Sequence, residues 1–177
     1  CLYLNVWSPS EVVEPLPVMF FIHGGGNHIG SANAGGLYDG QRFASNHDVV
    51  MVSINYRLGP LGWFSHPGLV VEETDEFSKK DNSGNYGTLD ILAALEWVQG
   101  NIENFGGDPD NVTIFGESAG AFNVLSMMVS PLAEGLYHKA ISQSGGIRLI
   151  PMDVAQHYHE QGMGHPLSAR EITSRML

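Results

Sequence analysis

The sequence predicts an α/β fold built on a mostly parallel sheet with flanking helices. Three observations carry that expectation. An unbroken apolar run at Val18-Met19-Phe20-Phe21-Ile22 and two further apolar-rich, β-branched runs at Val49–Asn55 and Val112–Phe115 read as strands, the first covered on both faces. Stretches with helical spacing of apolar residues alternate with them, which is the signature of βαβ units. Two of the runs stop abruptly in glycine-rich turns, His23-Gly24-Gly25-Gly26 and Gly116-Glu117-Ser118-Ala119-Gly120.

In chain order, Leu2–Trp7 is apolar-rich and stops at Ser8-Pro9, so it reads as a strand near a sheet edge. Residues 10–17 carry Pro15 and Pro17 and form a connector. The strands at 18–22 and 49–55 follow, the second closed by Gly59-Pro60-Leu61-Gly62. Residues 66–86 are acidic and turn-rich, a surface excursion. From Thr88 to Val98, Leu89, Leu92, Ala93, Leu95, Glu96 and Trp97 suit a largely buried helix that ends near Gly100 and Gly106-Gly107. Asp108-Pro109-Asp110 reads as a turn before the strand Val112–Phe115. Beyond Gly120, Phe122, Leu125, Met128 and Val129 recur at helical spacing up to Pro131. Lys139–Ser142 is a further short strand, and Ser168–Met176 suits a helix in an amphipathic last stretch.

Composition narrows the function classes. At about 150 residues per domain, 177 residues suggest one domain. Glycine supplies 22 of them, nearly twice the usual share of about 7%, which fits tight turns and close backbone approaches. Charged residues are only 15% and hydrophobic ones 43%, which excludes a disordered chain or a coiled coil. The net charge of −11 and the absence of any basic cluster beyond Lys79-Lys80 argue against nucleic acid and anionic membrane surfaces as partners. No apolar run approaches the ~20 residues of a bilayer span. The chain opens on Cys1 where a signal-like start would be, so we expect a stretch taken from a longer polypeptide. Its single cysteine is either a free thiol or half of a bridge to a partner elsewhere, and composition alone favours the thiol.

The strongest chemical signal is G-x-S-x-G between a predicted strand and a predicted helix. The chemistry needs a turn so sharp that Ser118 is held at unfavourable backbone angles. Glycines two residues to either side let neighbouring segments approach without a Cβ clash. A helix starting near Ala119 points its free amides and positive dipole end toward the serine oxygen. His23-Gly24-Gly25-Gly26 at another strand end can turn backbone N–H groups into a cavity, where they stabilise an oxyanion during acyl transfer. A phosphate cradle fails at this site, because residue 29 is Ile where a dinucleotide fingerprint needs Gly and no G-K-[ST] follows. Both motifs then lie at carboxyl ends of strands, where open α/β sheets place ligands.

With these residues in hand, the sequence resembles the type-B carboxylesterase and cholinesterase-like lipase family of α/β-hydrolases. The resemblance runs through Cys1–Trp7, His23–Gly26, Asn55-Tyr56-Arg57 with Gly62, Asn85–Asp90 and Ala94–Val98. It continues through Asn101-Ile102, Phe105–Pro109, Val112-Thr113, Phe115–Gly120 and Gln143-Ser144-Gly145. The segment Gly84–Asp90 looks more like bacterial than animal members. The resemblance implies Ser118 as nucleophile of a carboxylic-ester hydrolase, with the backbone N–H groups of Gly25, Gly26 and Ala119 as oxyanion donors. It implies a supporting polar network at Glu117 and Ser144, a small-molecule ester as substrate, and no cofactor or metal. Asn27 and Ile91 depart from the family, where an aromatic and a glutamine are usual; the first bears on the acyl pocket and the second on helix packing. Cys1 matches a family cysteine whose disulfide partner lies upstream, which reverses the compositional preference and implies a secreted or periplasmic protein.

The resemblance also changes the meaning of the length, since it implies that residues 1–177 are an N-terminal part of the catalytic domain. A serine nucleophile needs a general base and an orienting acid, which in this fold follow the serine on later strands. Only 59 residues follow Ser118, with one predicted strand among them. Asp153 with His157, His159 or His165 satisfies the order formally, but the triad acid and histidine are expected outside this chain. The 177-residue chain alone is accordingly expected to turn over little p-nitrophenyl acetate beyond a Ser118→Ala control. His157-Tyr158-His159-Glu160 lacks the H-E-x-x-H pattern of a zinc site. Asn111-Val112-Thr113 is a glycosylation sequon placed at the start of a core strand, and His23 is expected to pack locally. The competing class is an adhesion or scaffold relative that kept the fold and lost the chemistry, for which a strained serine has no use.

Overall fold

A computed structural model describes residues 2–64, 71–75 and 82–146. Cys1, Lys79-Lys80, most of the 66–86 excursion and everything expected of 151–177 lie outside the described residues. Five strands form one sheet in the order β1-β3-β2-β4-β5: β1 (Tyr3–Trp7), β2 (Leu16–Ile22), β3 (Val50–Asn55), β4 (Gly107–Glu117) and β5 (Lys139–Gln143). All neighbours are parallel except β1, which runs antiparallel to β3 from Tyr3↔Asn55 to Trp7↔Met51. The expected edge strand is thus at the edge of the sheet that the described residues form. Among the described residues, three α-helices connect the strands, α1 (Gln41–His47), α2 (Tyr86–Asn101) and α3 (Ala119–Val129).

Strand period two explains why β2 is apolar throughout. Val18, Phe20 and Ile22 point to one face, into a core shared with Val50, Val52, Ile54, Val112 and Ile114 and covered by α2 and α3. Met19 and Phe21 point to the other face, where Met51, Phe115, Trp7 and Tyr38 close around Ala44 of α1. Each fully buried large aliphatic or aromatic side chain there contributes about 1.5–3 kcal/mol. The connector expected over 10–17 ends sooner than its prolines suggested, because β2 begins at Leu16. Pro17 is tolerated there because the ladder is interrupted at that point, the register jumping from Leu16↔Gly107 to Val18↔Val112. The same jump accommodates Asp108-Pro109-Asp110, which lie within β4 and not in a turn ahead of it as expected; there the Asp110 N–H donates to Asp108 Oδ1 at 2.9 Å.

Two helices differ from the sequence expectation. Sequence gave no sign of α1, since Ala44 is its one buried residue and no apolar period marks it. In α3 the spaced residues Phe122, Met128 and Val129 are 39%, 54% and 64% exposed. The helix packs instead through Ala119, Gly120, Ala121, Asn123, Val124 and Met127. Small residues win because α3 must approach the backbone of β2 more closely than a large side chain permits.

The loop after β3 is fastened to α2 by a buried acid. Arg57 Nε donates to both oxygens of Asp90 (3.1 and 2.8 Å), Nη2 donates to Oδ1 at 2.7 Å, and the Arg57 backbone N–H donates to Oδ2 at 2.9 Å. The Asp90 side chain is 4% exposed and that of Arg57 40%. The asymmetry yields a prediction. Arg57→Met strands a buried carboxylate and is expected to cost about 3 kcal/mol. Asp90→Leu is expected to cost less, because the guanidinium can turn to water. Denaturant unfolding of the two variants checks the order.

Candidate active site

The strand order places a switch point beside β2. The chain leaves β2 toward β3 on one side, then crosses back past β2 to β4 and continues outward to β5. Crossovers in opposite directions put α1 on one face and α2 and α3 on the other, as right-handed connections demand. The carboxyl ends of β2 and β4 therefore border the crevice in which open sheets of this kind place their ligands. His23–Gly26 follows β2 and Ser118 follows β4, so both motifs reach this crevice.

Ser118 alone separates β4 from α3, with φ 55° and ψ −121°. This conformation costs a non-glycine residue of order 1–3 kcal/mol, and the surroundings hold it. The Ser118 N–H donates to Gln143 O at 2.9 Å, which pins the turn to β5, and Ser118 O accepts from Phe122 N at 3.1 Å. A Cβ on Gly120 would lie 2.0 Å from Ile22 O, so the elbow sits directly on the end of β2. A Cβ on Gly24 would lie 2.7 Å from Glu117 O and 3.3 Å from Ser118 Cβ. The glycine loop therefore passes over the serine, and any side chain at 24 would occupy the space beside it.

Gly25, Gly26 and Asn27 follow with φ values of 107°, 64° and 60°. His28 and Ile29 both donate their N–H groups to Gly25 O at 3.1 Å, which commits that carbonyl to the turn. The N–H groups of Gly25 and Gly26 meet no acceptor among the described residues. Ala119 opens α3, where a first-turn N–H has no intrahelical acceptor and the helix dipole favours negative charge. The structure thus brings Ser118, Gly24–Gly26 and Ala119 to one place. Glu117 and Ser144 flank it, both exposed, Ser144 at φ 57°. Neither side chain has a hydrogen-bond partner among the described residues.

His23 packs locally, as its place at a strand end suggests. It is buried, Nδ1 donates to Gly24 O at 2.7 Å, and the ring stacks on Tyr56 with centroids 4.5 Å apart. Its Nε2 is buried and has no partner among the described residues, so a proton added there would be unpaired by them. Burial holds the imidazole pKa below the usual 6.5, against a smaller opposing contribution from the Gly24 hydrogen bond. Below pH 6.5 the unfolded chain therefore binds a proton that the folded chain does not, and the unfolded state gains. Stability is expected to fall as pH drops from about 7 to about 5. Part of that slope should vanish in His23→Asn, measured as unfolding midpoint against pH. The Ser118 hydroxyl meets no histidine among the described residues, and Asp153, His157, His159 and His165 lie outside them.

Sequence reasoning missed the layer beneath the loop. The Tyr56 phenol donates to His23 O at 2.6 Å and lies 3.3 Å from Asn27 Oδ1. Burial pushes its pKa far up and keeps it a donor. Asn123 Nδ2 donates to the same Asn27 oxygen at 3.0 Å. The sequence signals were Asn27 standing where the family carries an aromatic and Tyr56 falling in the family-like segment Asn55-Tyr56-Arg57. Asn123 gave none, being one polar residue in an apolar helix.

A strand–turn–helix serine at the switch point of a mostly parallel sheet, facing a glycine loop, defines an α/β-hydrolase. The Carboxylesterase family model matches residues 1–165, and the chain belongs to that family. It is 52% identical over 147 residues to Carboxylesterase 1D of Rattus norvegicus, covering 82% of this chain and 24% of that protein. It is 50% identical over 148 residues to the Fumonisin B1 esterase of Sphingopyxis macrogoltabida, covering 83% of this chain and 26% of that one. Bacterial and mammalian relatives are thus matched almost equally, and overall identity does not carry the bacterial leaning of Gly84–Asp90. A solved PNB esterase superposes with a TM-score of 0.75 at 44% identity, over 85% of this chain and 30% of that one. The chain spans about a quarter of the length of these curated relatives. None of the described helices is long and apolar enough to cross a membrane.

Proposed function

We propose that these residues belong to a carboxylic-ester hydrolase that works through an acyl-enzyme on Ser118. The observation that carries this reading is the strained Ser118, φ 55°, set against backbone N–H groups, on a glycine loop and a helix start, that meet no acceptor among the described residues. A strained nucleophile is kept only where surrounding contacts impose it, and such strain clusters at active sites. The Ser118 oxygen attacks the ester carbonyl carbon and its proton passes to a base contributed from outside the described residues. The carbonyl π electrons become an oxyanion held by the N–H groups of Gly25, Gly26 and Ala119. The C–O bond breaks, the alcohol departs with a proton, and water then cleaves the acyl-serine to acid and free serine. Small-molecule carboxylic esters are the substrate class.

The experiment is covalent labelling of the protein expressed with its full flanking sequence. A fluorophosphonate should add one phosphonyl group, mapped by peptide mass to the tryptic segment holding Ser118. Labelling that persists after Ser118→Ala, or none in a folded sample that hydrolyses esters, would overturn the reading.

A further inference from the structure

Asn27 and Asn123 stand 96 residues apart in sequence and are joined by a 3.0 Å hydrogen bond. Each belongs to one half of the proposed oxyanion site. Asn27 directly follows Gly25-Gly26, and Asn123 lies five residues beyond Ser118 on the helix that Ala119 opens. Asn123 is only 4% exposed, on a helix face otherwise made of Ala, Gly, Val and Met. A buried amide there is costly unless its hydrogen bonds are made, and an apolar residue would serve packing alone. Asn27 sits at φ 60°, a conformation asparagine tolerates better than most residues. Its Oδ1 also lies 3.3 Å from the Tyr56 hydroxyl, and its carbonyl accepts from Gly59 N at 2.6 Å.

The site has a mechanical problem that this contact addresses. Two of its donors ride on consecutive glycines, whose backbone is the most conformationally free, while the third rides on a helix. The donors stabilise a transition state only if all converge on one oxygen position, and a displacement near 1 Å costs about 100-fold in rate. We propose that the Asn123–Asn27 hydrogen bond, braced by Tyr56, fixes the glycine loop relative to α3, making Asn123 a positioning residue for oxyanion stabilisation. The inference rests on the ester-hydrolase reading above.

The test measures kcat and KM for p-nitrophenyl acetate, and Ki for an aryl trifluoromethyl ketone, in the protein with its full flanking sequence. The variants are Asn123→Leu, Asn27→Gly and the double. Glycine at 27 removes the amide while keeping the positive φ accessible. Each single variant should lower kcat about 10- to 100-fold with KM within about threefold. The ketone forms a tetrahedral adduct, so its Ki should rise by the factor that kcat/KM falls. The double variant should lose no more than the worse single, because both remove one contact. If Asn123→Leu fails to fold, Asn27→Gly on the surface loop carries the same kinetic test. The inference is overturned if the folded variants keep kcat within about twofold, if Ki stays fixed while kcat falls, or if the two losses multiply. Turnover that survives Ser118→Ala sinks the hydrolase reading itself, a result separate from all of these.

Discussion

Ser118→Ala is expected to lower ester turnover by the full-length protein about 10⁴- to 10⁶-fold, the range seen when a catalytic serine is removed. The loss is large because the attacking atom itself disappears and the donors around it have no tetrahedral intermediate to bind. It should fall on kcat, with any residual rate owed to the donors acting on water attack. A second readout separates strain from chemistry. Ser118 pays for its position at φ 55° and ψ −121°, and glycine enters that region freely. Ser118→Gly should therefore be as inactive as the alanine variant yet more stable by about 1–2 kcal/mol. Steady-state kinetics and denaturant unfolding on the same samples check both. A Ser118→Gly protein less stable than wild type would show that the elbow is not strained.

The second large effect is Gly120→Ala, expected to cost more than about 4 kcal/mol. Helix propensity alone predicts the opposite sign, since alanine is better than glycine in a helix by about 1 kcal/mol. The clash decides it: the new Cβ would sit 2.0 Å from Ile22 O and 2.9 Å from His23 O. Both are backbone atoms at the end of the central strand, and neither can swing aside. The helix would have to lift off β2, carrying Ser118 and Ala119 with it, so activity should fall with stability. Gly100→Ala is the internal control. It lies in α2 with nothing within 4 Å of its Cβ position, and should stabilise by up to about 1 kcal/mol. Unfolding midpoints of opposite sign for the same substitution are the expected result, and equal midpoints would refute the close-approach account.

Much of this molecule is legible from residue pattern because its signals are local. The runs at 18–22 and 112–115 are strands covered on both faces, and G-x-S-x-G sits between strand and helix, as the backbone geometry of that turn requires. Other features were misread for equally physical reasons. The face of α3 could not be read from hydrophobicity, because closeness of backbones, not apolar content, selects what packs on β2. Helix α1 was silent because one buried alanine leaves no period. Asn123 was silent because a single polar residue in an apolar helix carries no local meaning until its partner, 96 residues away, is placed beside it.

The sequence by itself determined the class of fold and where the serine turn and the glycine loop fall along the chain, since each depends on neighbours within a few residues. Tertiary structure alone decided which strand ends meet, that the switch point falls beside β2, and that Asn27, Tyr56 and Asn123 converge under the loop. Those facts depend on strand order and chain crossing, which no local pattern records. Burial, meanwhile, is a property of the assembled sheet and helices.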